Sequence, residues 1–228
     1  MIPLKDNIPS LTFPFANISL IIINILVFFY EVSLGPYLER FIFHFGVIPY
    51  KFIFLLSSDT LYPVATFLPL FSSLFLHGGW LHLLGNMLYL WIFGDNVEDV
   101  LGHARYLLFY LLCGIGAGMT HIITQPGSHV PTIGASGAIA GIMGAYFVLF
   151  PRARVVTLVP IFFFIQLIEI PAYFFLAFWF IIQLFSGTIS GSSAISGGIA
   201  FWAHIGGFAC GMVLLLFFKR RRRVKYYR

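Results

Sequence analysis

The chain has 228 residues, of which 60% are hydrophobic and only 9% are charged. Soluble domains carry about a quarter charged residues, so this composition excludes an ordinary soluble domain and, with its long apolar runs, indicates a polytopic membrane protein. The net charge is +5, but seven of the thirteen basic residues lie in the last ten positions, Lys219–Arg228. A basic cluster directly after an apolar helix is typical of a cytoplasmic anchor, so we expect this tail to contact anionic lipid and no nucleic acid.

The hydrophobic pattern predicts an all-α protein with six membrane-spanning helices. A span needs roughly 20 mostly apolar residues, with some latitude. The predicted spans are Ala16–Val32, Trp80–Phe93, Tyr106–Thr124, Ser136–Phe150, Pro171–Phe185 and Phe201–Phe218.

The same pattern predicts one domain with short flanking segments. Residues 1–15 are expected to be a short cytoplasmic N-terminus, because no cleaved signal peptide is recognisable there. Residues 16–218 are expected to form the six-helix domain, and residues 219–228 a basic cytoplasmic tail. Two stretches are interpreted as lying in the membrane interface, the proline-rich outer segment 33–70 and the short apolar run Val155–Ile165.

The distribution of basic residues predicts the orientation. With both chain ends inside, the inner segments hold Lys5, Arg105, Arg152, Arg154 and the seven basic residues of the tail. The outer segments hold only Arg40 and Lys51. By the positive-inside rule, we expect cytoplasmic termini, and the N-terminal ends of the second, fourth and sixth helices then face outward.

The stretch Pro131–Tyr146 begins with a turn signal and continues as an apolar helix. Ser136 stands at the transition, flanked by Gly134 and Gly137. Glycine has no Cβ, so a substrate backbone can come close to the hydroxyl, and the first N–H groups of a helix point at whatever lies in front of them. A serine beside free backbone donors has the geometry that acyl transfer requires, a nucleophile next to an oxyanion site. The alternative is an ordinary helix N-cap.

Three further polar residues are predicted at the same depth as Ser136. His204 lies near the start of the sixth helix, while His82 and Asn86 are four residues apart and share a face of the second. Ionisable groups inside a membrane are costly and face the bundle interior, which makes them functional candidates. Small residues let membrane helices pack closely enough for a serine–histidine hydrogen bond. Two such stripes occur, Ser136, Gly137, Ala140, Gly141 and Gly144 on the fourth helix and His204, Gly207 and Gly211 on the sixth.

The chemistry of these residues suggests their roles. His204 would take the Ser136 proton and return it to a leaving amine, and the Ser136 N–H, His82 and Asn86 would hold the oxyanion. His77 is assigned a structural or water-ordering position. No carboxylate is placed to orient His204, so we predict a dyad rather than a triad. Each residue also has a structural interpretation, since His204 could be a packing residue and His82 and Asn86 could bridge helices.

These motifs resemble those of the bacterial rhomboid intramembrane serine proteases. The matching elements are Gly134-Ala-Ser-Gly137, Ala203-His204 followed by Gly206-Gly207, and His77 with His82 and Asn86 at the family spacing; the likeness covers residues 67–218. The chain departs from many relatives at Glu39-Arg40, where they carry a Trp-Arg pair.

The resemblance implies a six-helix bundle whose water-filled cavity opens outward, in the inner (plasma) membrane of a cell. It implies Ser136 as nucleophile, His204 as base and oxyanion assistance from His82 and Asn86. The implied substrates are single-span membrane proteins cut within or beside their transmembrane segment. Because the fifth helix is aromatic and ends in a Gly/Ser loop at 186–198, we also expect its outer end to move to admit substrate.

Other functions fit parts of the pattern. A catalytically silent rhomboid-like protein could bind membrane clients, although such relatives generally lack the serine or the histidine. A metal or haem protein could use His77, His82 and His204, but the chain has no His-Glu-x-x-His pattern and no acidic ligand at that depth. A transporter is the third alternative. We expect no cofactor and no metal, interpret Cys113 and Cys210 as packing residues, and find no sequence signal for the oligomeric state.

Overall fold

The computed structural model describes residues 1–58, 62–161, 164–190 and 200–218. Within these ranges the chain forms nine α-helices, which are α1 (Phe15–Ser33), α2 (Leu38–Phe45), α3 (Pro49–Leu56), α4 (Pro63–Ser72), α5 (Trp80–Leu101), α6 (His103–Thr124), α7 (Ser136–Leu149), α8 (Ala172–Ser190) and α9 (Phe201–Phe218). Three strands accompany them, which are β1 (Ile2–Asp6), β2 (Arg154–Ile161) and β3 (Phe164–Pro171). The predicted basic tail, 219–228, and much of the Gly/Ser loop lie outside the described residues.

A helix occurs at each of the six predicted positions, and α5 differs most from its predicted bounds. It continues to Leu101, past the acidic stretch where the hydropathy falls. The reason is a contact with another helix, since the Glu98 carboxylate accepts the backbone N–H groups of Ala16 and Asn17 at 2.9 and 2.7 Å. These N–H groups lie in the first turn of α1 and have no intrahelical acceptor. The acidic end of α5 therefore caps α1.

Not every predicted span has the length of a membrane-crossing helix. In the described part of the chain, α1, α6, α8 and α9 are long and apolar enough to cross a membrane. The segments Pro63–Phe75 and Trp80–Leu101 would together make a fifth span, bent by 79° at the break between them. Helix α7 has only 14 residues, about 21 Å at the rise of an α-helix. The count of six spans and the cytoplasmic position of both termini stay predictions.

The described chain is mostly helical, as predicted, but one end of the bundle contains a β-sheet that the prediction of an all-α fold did not include. The strands form a three-stranded antiparallel sheet in the order β1-β2-β3, with Asp6 opposite Val155 and Arg154 opposite Pro171. The run Val155–Ile165 forms most of β2 and the start of β3, and its position at the membrane interface stays a prediction. Its β-branched residues favour extended structure, and its partner β1 lies about 150 positions earlier. The sheet brings the N-terminus and the segment after α7 to the same end of the molecule.

The outer segment 33–70 is helical, and it holds the loop that precedes α7. It contains α2, α3 and most of α4. Val47 and Thr132 exchange backbone hydrogen bonds of 3.0 and 2.7 Å, and the Tyr50 N–H donates to Ser128 O at 3.0 Å. These bonds fix the approach of the chain to Ser136.

Helix α7 is buried along nearly its whole length and packs backbone to backbone against α9. A Cβ placed on Gly207 or Gly211 would overlap the backbone of Gly137 or Gly141 across the interface. The small-residue stripes thus meet as predicted, which is how membrane helices without large interfacial side chains come into close contact. Both cysteines are free thiols, Cys113 buried and Cys210 half-buried.

Candidate active site

The side chains of Ser136 and His204 meet at the start of two adjacent helices. Ser136 is the first residue of α7, and His204 lies in the first turn of α9. The distance between Ser136 Oγ and His204 Nε2 is 2.8 Å, a hydrogen bond between a hydroxyl and an imidazole. Ala135 occupies the N-cap position, so Ser136 is not the N-cap of α7. Its hydroxyl is directed at a potential general base instead.

The turn before Ser136 depends on glycine. Gly134 has a φ of +125°, a backbone conformation that residues with a Cβ rarely adopt, and its N–H donates to Ser73 O at 2.8 Å. A Cβ at this position would lie 2.7 Å from His82 Nε2 and 3.6 Å from Asn86 Nδ2. Glycine therefore lets the chain pass close to both α5 side chains, which brings them next to the turn that carries Ser136.

The hydrogen bonds around His82 determine which ring nitrogen carries its proton. The Gly78 N–H donates to His82 Nδ1 at 3.3 Å, so Nδ1 is the acceptor. In a neutral imidazole the proton then resides on Nε2. This nitrogen faces Gly134, two residues before the serine, as a hydrogen-bond donor.

Asn86 supplies a second donor at the same place. Its side chain is only 8% exposed, yet Nδ2 has no hydrogen-bond partner anywhere in the described ranges. A buried amide N–H without an acceptor is unfavourable and rare, so it requires an explanation. Further donors come from α7, where intrahelical bonding begins with Ile139 N–H to Ala135 O at 3.0 Å. The N–H groups of residues 136–138 precede that bond and are available to a ligand.

His77 lies beside the oxyanion candidates without contacting Ser136. Its ring is 5.1 Å from that of His82, between centroids, and is almost fully buried. Its backbone N–H donates to both carboxylate oxygens of Glu31, at 3.1 and 3.3 Å. Glu31 is not among the residues that the sequence analysis identified. The only sequence signal for it is a carboxylate near the end of an apolar helix.

Gln183 is the second residue that sequence reasoning missed. Its Oε1 lies 2.8 Å from His204 Nδ1, and its side chain is buried at 8% exposure. The predicted dyad did not include this contact, because only carboxylates were considered as partners of the base. The signal in the sequence was a single amide inside the apolar helix α8, four residues after Trp179.

The three histidines considered as metal ligands are arranged differently from a metal centre. The rings of His77 and His82 face each other, while His204 is hydrogen-bonded to Ser136 and Gln183. The residues that the structure describes include no group of three or more His, Cys, Asp or Glu side chains arranged to hold a metal ion.

Comparison with known proteins gives one family. Residues 64–221 match the family model described as the Rhomboid domain. RHOMBOID-like protein 5 of Arabidopsis thaliana is 37% identical over 76 residues, which are 33% of this chain and 25% of that protein. The putative rhomboid protease YdcA of Bacillus subtilis is 40% identical over 77 residues, 34% of this chain and 38% of that protein.

A longer alignment reaches a mitochondrial protein. Rhomboid protein 1 of Saccharomyces cerevisiae is 26% identical over 154 residues, 66% of this chain and 41% of that protein. The matched regions span about a quarter to two fifths of the length of these three relatives. Because the family model covers well over half of the sequence, this membrane protein belongs to the rhomboid family.

Proposed function

We propose that this protein is a serine endopeptidase that cleaves single-span membrane proteins within or next to their transmembrane segment. The observation that carries the proposal is the 2.8 Å hydrogen bond between Ser136 Oγ and His204 Nε2. It joins a nucleophile to a base at a half-buried helix start, beside the buried Asn86 amide, whose Nδ2 has no acceptor among the described residues.

The first half of the reaction forms an acyl-enzyme. His204 Nε2 takes the Ser136 hydroxyl proton while Oγ bonds to the carbonyl carbon of the scissile peptide. The imidazolium then gives this proton to the amide nitrogen as the C–N bond breaks, and the amine product leaves. The other half of the substrate stays attached to Oγ as an ester.

The second half restores the enzyme. A water molecule gives a proton to His204 Nε2 and bonds to the ester carbon. The C–Oγ bond breaks, Oγ takes the proton from the imidazolium, and a carboxylic acid product leaves. No net proton or electron is left on the enzyme.

Both tetrahedral intermediates carry a negative oxygen that the neighbouring donors can stabilise. The Asn86 amide, the His82 Nε2–H and the Ser136 backbone N–H are the proposed donors. Asn86 Nδ2 has no acceptor among the described residues, and it would donate to this oxygen, which becomes fully charged only during the reaction. Loss of one such donor in other hydrolases costs about 10²–10³ in kcat, so this contribution is large.

The membrane setting supports a transmembrane substrate. A bilayer has a hydrocarbon core about 30 Å thick, whereas α7 has 14 residues and spans about 21 Å. A serine at the end of so short a helix would lie within the bilayer, facing lipid-embedded chains. Two Bacillus subtilis relatives are named as rhomboid proteases, one of them putatively. We extend the same function to this chain, with six spans, cytoplasmic termini and a location in the inner (plasma) membrane.

Substrate would enter beside α8. Four of its aromatic side chains are exposed, Tyr173, Phe174, Phe178 and Phe185. A peptide bond in a lipid-embedded helix is internally hydrogen-bonded, so its hydrolysis requires local unwinding and access to water. Outward movement of the C-terminal half of α8 would supply both a path from the lipid and room for an extended segment.

The test is cleavage in proteoliposomes of a single-span substrate tagged at both ends. We expect wild-type protein and the exposed control Ser57→Ala to release both fragments, and Ser136→Ala to release neither while keeping its thermal stability. Stable binding of the substrate without cleavage by wild-type protein would instead favour the client-binding alternative. Cleavage by Ser136→Ala at the wild-type rate would exclude Ser136 as nucleophile.

A further inference from the structure

We propose that Gln183 is a positioning residue that holds His204 in the one tautomer and orientation able to accept the Ser136 proton. This inference rests on the proposed function. It starts from one contact, the 2.8 Å between Gln183 Oε1 and His204 Nδ1, which joins α8 to α9.

The hydrogen-bond network determines the direction of this contact. The Gln183 Nε2 lies 3.5 Å from Trp179 O on the preceding turn, so its N–H faces that carbonyl and Oε1 faces the imidazole. An amide oxygen can only accept, so His204 Nδ1 must be the donor. The neutral ring then has its lone pair on Nε2, 2.8 Å from Ser136 Oγ. With the opposite tautomer, Nε2 would carry a proton and could not remove another one.

Inside a membrane, an amide is a more favourable partner for the base than a carboxylate. In soluble serine hydrolases a carboxylate accepts the Nδ1 proton of the base. An isolated carboxylate inside the bilayer is costly, whereas a neutral amide provides the acceptor oxygen without adding a charge. Gln183 is buried and is the one amide side chain of the mostly apolar helix α8, and the histidine is the partner that satisfies its oxygen.

Helix α8 contacts the base with two side chains. Trp179 and Gln183 are four residues apart and share one helix face. The Trp179 ring lies 6.0 Å from the His204 ring, between centroids, at an angle of 35°. The position of α8 therefore determines the orientation of the base, and movement of this helix would change the alignment of His204 with Ser136.

The experiment compares the kinetics of Gln183→Met and Gln183→Glu with wild type, on the full chain and the same transmembrane substrate. Methionine has nearly the same volume but no strong acceptor. By analogy with metal-binding histidines, whose orienting partners contribute about 10- to 100-fold to activity, we expect Gln183→Met to lower kcat by about that factor with KM unchanged. Gln183→Glu keeps an acceptor oxygen and is expected to recover most of the lost kcat.

A packing control separates positioning from general destabilisation. Leu176→Val alters a fully buried side chain of the same helix that makes no hydrogen bond to His204. We expect it to lower Tm while kcat changes less than twofold. The inference is overturned if Gln183→Met keeps wild-type kcat, or if Gln183→Met and Leu176→Val lose kcat in the same proportion to their loss of Tm. Absence of cleavage by wild type would instead count against the proposed function itself.

Discussion

Glu31 and His77 are joined across two segments that the sequence keeps 46 positions apart. Both oxygens of the buried Glu31 carboxylate accept the His77 backbone N–H, at 3.1 and 3.3 Å. The next backbone N–H, of Gly78, donates to His82 Nδ1 and so fixes the proton on Nε2. The carboxylate of α1 thereby positions the loop on which one proposed oxyanion donor depends.

Glu31→Ala should therefore reduce both stability and activity. The alanine variant leaves the buried His77 N–H without its acceptor, which costs about 1–3 kcal/mol. We expect a lower Tm and a lower kcat, with Glu31→Gln intermediate because one acceptor oxygen remains. The control is Glu39→Ala, an exposed carboxylate of α2. Wild-type Tm and kcat in Glu31→Ala would show that the contact is unimportant.

Asn86→Ala should lower catalytic activity without destabilising the fold. We expect kcat to fall by about 10²–10³, or less if His82 compensates, because one oxyanion donor is lost. Tm should hold or rise, since the buried Nδ2 has no acceptor among the described groups and its removal eliminates an unsatisfied donor. Thermal unfolding and single-turnover cleavage measure the two effects.

A second buried asparagine provides the matched control for Asn86. Asn24 lies in α1, and its Nδ2 donates to Leu20 O at 2.7 Å. Asn24→Ala should lower Tm and leave kcat near wild type. If Asn86→Ala lowered Tm as much as Asn24→Ala does, and lowered kcat only in proportion to that loss of Tm, Asn86 would be a structural residue.

Gly211→Ala should disturb the active site from two turns away. Its Cβ would overlap the backbone of Gly141, so α7 and α9 must separate. Overpacking of this kind usually costs about 1–3 kcal/mol, and we expect a lower Tm together with a large loss of activity, because the Ser136–His204 bond spans the same interface. Gly85→Ala is the control, since a Cβ there meets no atom within 4 Å and alanine is the better helix former. Equal Tm and equal activity in the two variants would contradict this explanation by packing.

Asp6 should make stability depend on pH. Burial raises the pKa of its carboxyl to about 6, although Tyr146 Oη and Asn96 Nδ2 both donate to it. Because the folded-state pKa exceeds the ordinary value, the folded protein binds more protons than the unfolded chain between about pH 4 and 6. The contribution of Asp6 to stability is thus present below about pH 4 and is lost as the pH rises through about 6.

Asp6→Asn should remove this part of the pH dependence. We expect its Tm at pH 7 to exceed that of wild type and the difference to vanish toward pH 4. The control Glu169→Gln changes an exposed carboxylate and should keep the wild-type pH profile. A wild-type profile in Asp6→Asn would exclude Asp6 as the titrating group.

Much of the site could be predicted from the sequence because its signals are local. The glycine-flanked Ser136 identifies a turn that becomes a helix, and the four-residue spacing of His82 and Asn86 defines one helix face. The glycine stripe ending at Gly211 predicts which helices meet. These rules depend on helix periodicity and residue size alone.

The rest depends on contacts between distant segments. The sheet could not be predicted because an apolar run as short as Val155–Ile165 fits an irregular segment as well as a strand, and because its partner β1 is far away in sequence. Gln183 and Glu31 were missed for a related reason. The partner of a polar residue in an apolar helix can be identified only once the packing of the helices is known. The same holds for Glu98, whose contact with the start of α1 could not be predicted from the sequence.

The most direct test of the central claim is labelling of the detergent-purified protein with a fluorophosphonate probe, which reacts with activated serines. We predict labelling of wild type and of the exposed-serine control Ser57→Ala, with loss of labelling in both Ser136→Ala and His204→Ala. Because the serine and its base act as a unit, either substitution alone should abolish the reaction almost completely. Folded wild-type protein that takes no label, or a Ser136→Ala variant that labels as wild type does, would contradict the account.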